Sequence, residues 1–455
     1  MTMNYSIFIT LLLISIPKII AATDTIGTEF VLSFANLKLI ADYYTIVCTN
    51  DNNYTATANI KWWSLLLNME VEDFLFIEAH GYNEYSFNKY EVLYTSYSGY
   101  GEINFVPENR IMINSDLPIS VVASFHNRCP NLKNLHLVPS IPSLGQNYMV
   151  QLPEPSRDQF QIIQFLPLKN DTLIEITHYV NGIYLSKSTL VLKSKFGSTQ
   201  HVMVRQQHTS IENSSFLIQA TKPIAVVATV TCVKTKFACD YVAYMPQSLP
   251  LPENEIPNEN SGKIFALTSN TDSVYIYPQG AEYADIFITV SNDNKYDISE
   301  NISTYYPYEF LSTSTLEYQI VAFNSSLRAS RFVSELHEAP LYGSNDGACI
   351  TNLPPISCFI TGKILFALYD SRRFIEVYTD VRNMYNMFIN DISIYKFNPK
   401  TRVLVTTDFM YAAFEVDLSK LFGTTATLYS DGIYMAYYID TWGAKLACYE
   451  LGYNN

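Results

Sequence analysis

Glycine and proline are scarce, at 16 and 20 among 455 residues. That excludes a collagen-like chain and a flexible linker protein. Charged side chains make up only 16%, against roughly 25% in an average soluble domain. Disorder needs high charge and few aromatics, whereas this chain is 14% aromatic and 48% apolar. Basic residues are outnumbered 29 to 43, which leaves a formal charge of −14. Such a field repels nucleic acid and anionic membrane surfaces, so neither is expected as a partner. No later stretch has the roughly 18 unbroken apolar residues of a spanning helix, so no membrane insertion is expected.

The motifs of catalysis are missing too. There is no His-Glu-x-x-His, Gly-x-Ser-x-Gly, phosphate-binding glycine loop or EF-hand pattern. The histidines are scattered: His80, His126, His136, His178, His201, His208 and His337. The expectation is therefore a protein that is not an enzyme, with no catalytic residue, metal or cofactor.

What is present begins at the N-terminus. An apolar run at residues 7–16 is broken by Pro17 and Lys18 and followed by Ala21-Ala22. This is the pattern of a signal peptide over residues 1–22, and it predicts a secreted, extracellular chain. In that compartment cysteines are expected to form disulfides. Asn53, Asn170, Asn213, Asn301 and Asn324 each open an Asn-x-Ser/Thr triplet and are candidate glycosylation sites.

The chain also repeats itself. Ser115-Asp-Leu-Pro-Ile-Ser-Val-Val-Ala-Ser124 is matched by Ala220-Thr-Lys-Pro-Ile-Ala-Val-Val-Ala-Thr229. Their prolines, Pro118 and Pro223, lie 105 residues apart. Each block is followed by a cysteine, then an apolar-Pro step at Val138-Pro139 or Met245-Pro246, then Gly145 or Gly262 with an apolar run. A weaker third copy places Ala329 at the proline position and continues through Cys349, Leu353-Pro354 and Gly362. A fourth ends the chain. The expected units are 23–144, 145–261, 262–361 and 362–455.

Within each unit, short runs of Val, Ile, Thr, Tyr and Phe are punctuated by Asn, Asp, Gly and Pro, as in strands. Examples are Phe30–Phe34, Tyr44–Thr49, Phe74–Ala79, Ile103–Val106, Ile183–Leu192 and Ile286–Val290. Trp62–Glu70 and Phe414–Phe422 read as short helices. Pro118 and Pro223 suit strand starts. The apolar run after each proline has no polar face, which predicts a central strand buried on both sides. The fold class is all-β. The expected architecture is a row of β-sandwich-like units of about 105 residues, the alternative being a propeller with two blades per unit.

Seven cysteines cannot all pair within one chain. Cys232 and Cys239 enclose a loop short enough for a disulfide. Cys349 with Cys358 and Cys48 with Cys129 complete one assignment, leaving Cys448 odd. In the rival assignment Cys448 closes onto Cys358 or Cys349. Tyrosines cluster at Tyr82, Tyr85, Tyr90, Tyr94, Tyr97 and Tyr100, and again at Tyr305, Tyr306, Tyr308 and Tyr318. Tyrosine serves both interfaces and cross-strand packing.

The opening Gly27-Thr-Glu-Phe-Val-Leu-Ser-Phe resembles that of the IgGFc-binding protein N-terminal domain family. The blocks at 115–124 and 220–229 resemble its recurrent Ser/Thr-x-x-Pro-Ile-x-Val signature. Cys239-Asp-Tyr with Met245-Pro246 resembles its Cys-Asp segment. The likeness covers about residues 27–270. It implies a non-catalytic extracellular module that binds a protein or a glycan. The alternatives are a self-associating component of matrix or mucus and, more distantly, a secreted hydrolase. No Fc-contacting residue can be placed on this chain.

Overall fold

The computed structural model describes residues 23–35, 43–97, 102–128, 131–156, 158–180, 183–206, 214–234, 239–249, 262–267, 273–279, 283–290, 298–303, 308–311, 317–322, 325–334, 347–369, 372–405, 410–441 and 446–454. Residues 1–22, over which a signal peptide is expected, lie outside them. Strands account for 68% and helices for 5%, so the fold is all-β.

The first unit holds β1 (Gly27–Leu32), β2 (Tyr43–Asn50), β3 (Ala56–Ser64), β4 (Met69–Ile77), β5 (Gly81–Phe87), β6 (Glu102–Val106), β7 (Ile111–Arg128) and β8 (Asn131–Val138). The second holds β9 (Asn147–Gln151), β10 (Phe160–Pro167), β11 (Thr172–Val180), β12 (Ile183–Leu192), β13 (Gln200–Gln206), β14 (Ser214–Ala220), β15 (Ile224–Lys234) and β16 (Cys239–Tyr244). The third holds β17 (Lys263–Leu267), β18 (Ser273–Gln279), β19 (Tyr283–Val290), β20 (Ile298–Ser303), β21 (Tyr308–Leu311), β22 (Glu317–Ala322), β23 (Ser326–Ser334) and β24 (Ala348–Leu353). The fourth holds β25 (Ile360–Ala367), β26 (Arg373–Asp380), β27 (Met387–Ile389), β28 (Ile392–Ser393), β29 (Lys400–Val405), β30 (Met410–Asp417), β31 (Thr425–Asp440) and β32 (Ala447–Glu450).

One pairing scheme recurs in all four. The second unit forms sheets β12-β11-β14-β9 and β16-β15-β10-β13, and the third forms β20-β19-β22-β17 and β24-β23-β18-β21. These correspond strand for strand. In the first and fourth units the sixth and seventh strands are fused. β7 pairs with β1 and β3 in its first part and with β2 and β8 in its second. β31 does the same with β25 and β27, then β26 and β32. Ile119–Phe125 and Ile224–Val230 therefore occupy equivalent places, the seventh strand. One strand crosses a boundary: β6 pairs with β13 and extends the second unit's sheet.

The eighth strands gather at the centre. β8 lies against β16 and β32, and β24 lies against the same two. The sheets that carry them meet as four blades in a propeller-like arrangement. Each unit thus supplies one inner blade and one outer sheet. The units are two-sheet, sandwich-like bodies, as expected; they close into a ring instead of a row, and each gives one blade where the alternative had two. The physical reason is the seventh strand, which has two apolar faces to bury. Ile224, Val226, Ala228 and Val230 pack in the second unit's core with Phe332 and Ile350 of the third. Ala225 and Val227 turn the other way, into the first unit's core with Tyr241 and Met245. Val122, Leu135 and Leu137 of the first unit likewise join the core of the third and fourth. A lone sandwich would leave one of these faces in water. Closing the ring covers it.

Several local expectations change. Trp62–Glu70 is the β3–β4 hairpin, and Phe414–Asp417 ends β30. Apolar residues at helix-like spacing there serve strands with both faces partly covered. Pro223 directly precedes β15. Pro118 is inside β7, where the strand passes from Ser115, paired with Ala58, to Ser120, paired with Thr49. A missing N–H costs little at such a crossing. Ala329 is not the proline equivalent. It pairs mid-strand with Ile276 and Leu353, while β23 starts at Ser326, so Ser325 holds that position.

The first two units also close on their own openings. Phe30 bridges Ser140, and Asn147 bridges Leu249. A Cβ on Gly27 would stand 2.6 Å from Cβ of Ser140, and one on Gly145 would stand 2.6 Å from Cβ of Ser248. Only glycine fits, which is why it opens both repeats. Gly145→Ala should destabilise the fold by about 1–3 kcal/mol through overpacking. Chemical denaturation of the parent and the variant checks this.

Candidate functional site

Polar groups concentrate where units meet. Between the first and second, Arg110 is buried and grips Glu108 through Nε (2.8 Å) and Nη2 (2.6 Å). It also donates to the carbonyls of Pro167 (2.6 Å) and Ser194 (3.0 Å). Between the second and third, the amide of Ala348 donates to Asp240 Oδ2 at 2.9 Å, and that of Gln247 to Asn352 Oδ1 at 3.0 Å. Between the third and fourth, Arg331 Nη1 donates to Glu376 Oε2 at 2.6 Å with both side chains buried. The same seam carries the Cys349–Cys448 disulfide, with Cα atoms 5.7 Å apart.

That bond corrects the pairing of Cys349 with Cys358. The bonded cysteines lie on β24 and β32, neighbours at the centre of the ring. Cys358 is free and buried, and so is Cys48, which therefore does not pair with Cys129. Desolvation pushes the Cys48 thiol up to about 12, leaving it protonated and inert. Cys448 is not the odd thiol. Cys232 is disulfide-bonded. The side chains of Cys239 and Cys129 lie outside the described residues.

Asn352 ties three units together. Its Nδ2 donates to the Met245 carbonyl at 3.0 Å and to Glu450 Oε1 at 2.6 Å. Burial pushes the Glu450 carboxyl up to about 7, against the opposing pull of the Asn352 bond and Arg331. The sign of the stability effect follows. The unfolded carboxyl ionises near 4.5 and the folded one near 7, so the folded state holds the extra proton between those values. Stability falls as pH rises through that window and then levels off. Glu450→Gln should therefore be more stable than the parent at pH 8 by on the order of 3 kcal/mol. The difference should vanish near pH 4, as urea titrations at the two pH values would show.

The seam between the first and fourth units is held differently. Lys363 Nζ pairs with Asp51 Oδ1 at 2.7 Å, and both side chains are about a third exposed. Such a pair contributes at most about 1 kcal/mol. Thr49 Oγ1 donates to the Leu365 carbonyl at 3.5 Å. Beside them opens a cleft of about 220 Å³. Its apolar wall is Ile26, Pro118, Ile119 and Leu365, and its polar groups include Thr49, Asp51, Asn52, Ser120 and Lys363.

The loop that shapes this cleft is organised by Asn50 at the end of β2. Its Nδ2 donates to the carbonyls of Tyr54 (2.8 Å) and Ile77 (3.0 Å), and its Oδ1 accepts from the amide of Asn52 at 2.9 Å. Asn52 Nδ2 in turn holds the Pro118 carbonyl at 2.8 Å. His80, with φ of 52°, reaches Asp51 Oδ1 at 3.2 Å and Asn53 Oδ1 at 3.0 Å. Asn53 itself is exposed beside the cleft.

The other predicted positions divide. Asn170 and Asn301 are exposed. Asn213 and Asn324 lie outside the described residues. Tyr94 and Tyr97 pack edge-to-face, and Tyr85 packs on Trp62 and Phe87. Tyr90 is exposed. Tyr100, Tyr305 and Tyr306 are outside the described residues. His136 is buried and pushed down to about 4 by desolvation, hence neutral. His178 stacks on Phe216 and is likewise lowered to about 4. Among the described residues, no group of three or more His, Cys, Asp and Glu side chains could hold a metal ion. No helix there is long and apolar enough to cross a membrane.

Sequence reading missed Asp51, His80 and Lys363 as a group. Two signals bore on them: Pro118-Ile119-Ser120 and Gly362-Lys363 are both repeat motifs, and the cleft lies where they meet. Compared with known proteins, the chain matches no family model and no curated sequence.

Proposed function

We propose that this chain is a secreted, non-catalytic glycoprotein that binds an extracellular protein or glycan. The seam cleft carries the reading. It joins hydrogen-bonding groups of both signs, Asp51 and Lys363, to an apolar wall. Binding sites combine an apolar surface with a few convergent polar groups in this way. At about 220 Å³ it is smaller than the roughly 300–1,000 Å³ of drug-sized sites. A terminal sugar or a single side chain fits that size. The apolar-run signal at residues 7–16 and the exposed Asn53, Asn170 and Asn301 support an extracellular setting. The resemblance to the IgGFc-binding domain supports a binding role, without transferring any contact residue.

The test is a glycan array and an extracellular-protein array probed with the purified chain and with Asp51→Ala and Lys363→Ala. Binding that both substitutions weaken at least tenfold supports the reading. Binding indifferent to both, or no binding on either array, overturns it.

A further inference from the structure

β12 is the outermost strand of its sheet, paired on one side with β11. Ile183, Tyr184, Leu185 and Val191 on it are 73%, 57%, 59% and 51% exposed. A long apolar edge strand is a template for further pairing unless proline, charge or a bulge guards it. β12 has no proline, and its one charge, Lys187, is neutralised by Glu175 at 2.5 Å. It does have a bulge. His178 faces Ser186 and Tyr179 faces Tyr184, so Leu185 is left without an opposite residue.

The bulge makes the strand self-complementary. In an antiparallel ladder, facing residues must both direct their backbone groups toward each other or both away. Against β11, one set on β12 is Ile183, Ser186, Ser188, Leu190 and Leu192. The other is Tyr184, Lys187, Thr189 and Val191. Two copies of β12 paired about Ser188, with Leu185 again bulged, keep every pair within its set. Ser188 faces Ser188, Lys187 faces Thr189, and Ser186 faces Leu190. Beyond the bulge Tyr184 faces Val191, and Ile183 faces Leu192. Apolar residues meet at both ends and no like charges are opposed. Centring one residue earlier sets Lys187 against Lys187, and one residue later sets Lys187 against Val191. Without the bulge, Tyr184 and Val191 could not share a pair in the register centred on Ser188.

We propose that two copies of this chain associate through antiparallel pairing of β12 about Ser188, forming a two-fold symmetric dimer with a continuous outer sheet. The proposal is independent of the seam cleft, which lies on other units. Self-complementarity of this kind is what an isologous interface requires.

Sedimentation of the full-length chain over a concentration series tests it. The parent should show a reversible monomer–dimer equilibrium. Thr189→Lys places the new cation across from Glu175 in the monomer, so the fold is kept, as an unchanged melting curve would show. In the dimer it opposes two pairs of lysines, and dissociation should increase on the order of tenfold. Thr189→Glu opposes Lys187 favourably across the dimer and should tighten it, with the melting curve again measured because the new carboxylate faces Glu175 in the monomer. Ser188→Cys should give a disulfide-linked dimer, since facing Cα atoms in a ladder lie within disulfide range. A parent that stays monomeric at every soluble concentration overturns the proposal. So does a dimer that ignores both Thr189 variants and is not cross-linked through position 188.

Discussion

Replacing Cys349 and Cys448 together by alanine should lower the free energy of unfolding by about 4 kcal/mol. The bond spans 99 residues of sequence, and closing a loop of about 100 residues is worth roughly 4.7 kcal/mol in the chain-entropy model. A bond from Cys349 to Cys358 would close a loop of only a few residues and contribute far less. Both sulfurs are buried, in a cluster with Val333, Ile439 and Leu446. Alanine would leave a small void there, which adds to the loss. Equilibrium denaturation of the oxidised parent and the double variant measures the difference. A loss below about 1 kcal/mol would show that the cross-link does not constrain the unfolded chain.

Arg331→Met should cost about 3–5 kcal/mol, because it leaves Glu376 buried without its ion-pair partner. The guanidinium also meets Thr351 Oγ1 at 3.1 Å and lies 4.1 Å from the Tyr437 ring centroid. Tyr378 and Arg331 both donate to Glu376 Oε2, at 3.5 and 2.6 Å. These groups come from β23, β24, β26 and β31, so the pair fastens the third unit to the fourth. The double variant Arg331→Met with Glu376→Met should recover much of the loss, since it is the unpartnered carboxyl that destabilises. A double variant as unstable as the single one would assign the effect to packing against Tyr437.

The strands were legible because their signals are local. Runs such as Tyr44–Thr49 and Ile183–Leu192 need only composition and turn punctuation to be read. The repeat was legible because the seventh strand must bury two faces, which keeps Ile-x-Val-Val-Ala apolar throughout. What that second face packs against was not legible. Ala225 and Val227 contact another unit's core, and nothing within 105 residues of sequence says so. The same limit applies to the cysteines. Cys349 and Cys448 are 99 residues apart, and only the gathering of β24 and β32 at the centre makes them neighbours. Arg331, Glu376 and Asn352 carry no motif, because each is a single polar residue whose partner arrives from another unit. The seam cleft was half legible: its two repeat motifs were visible, but their meeting is a property of ring closure.

Ring closure is the claim on which the cleft, the disulfide and the buried ion pairs depend, and small-angle X-ray scattering tests it most directly. The measurement is made on Thr189→Lys at low concentration, to keep the chain monomeric. A closed ring of this length should have a radius of gyration of about 22 Å and a single-peaked, nearly symmetric distance distribution. Four units strung in a row would be several domain diameters long, with a radius of gyration above roughly 30 Å and a long tail to the distribution. The second result would contradict the account.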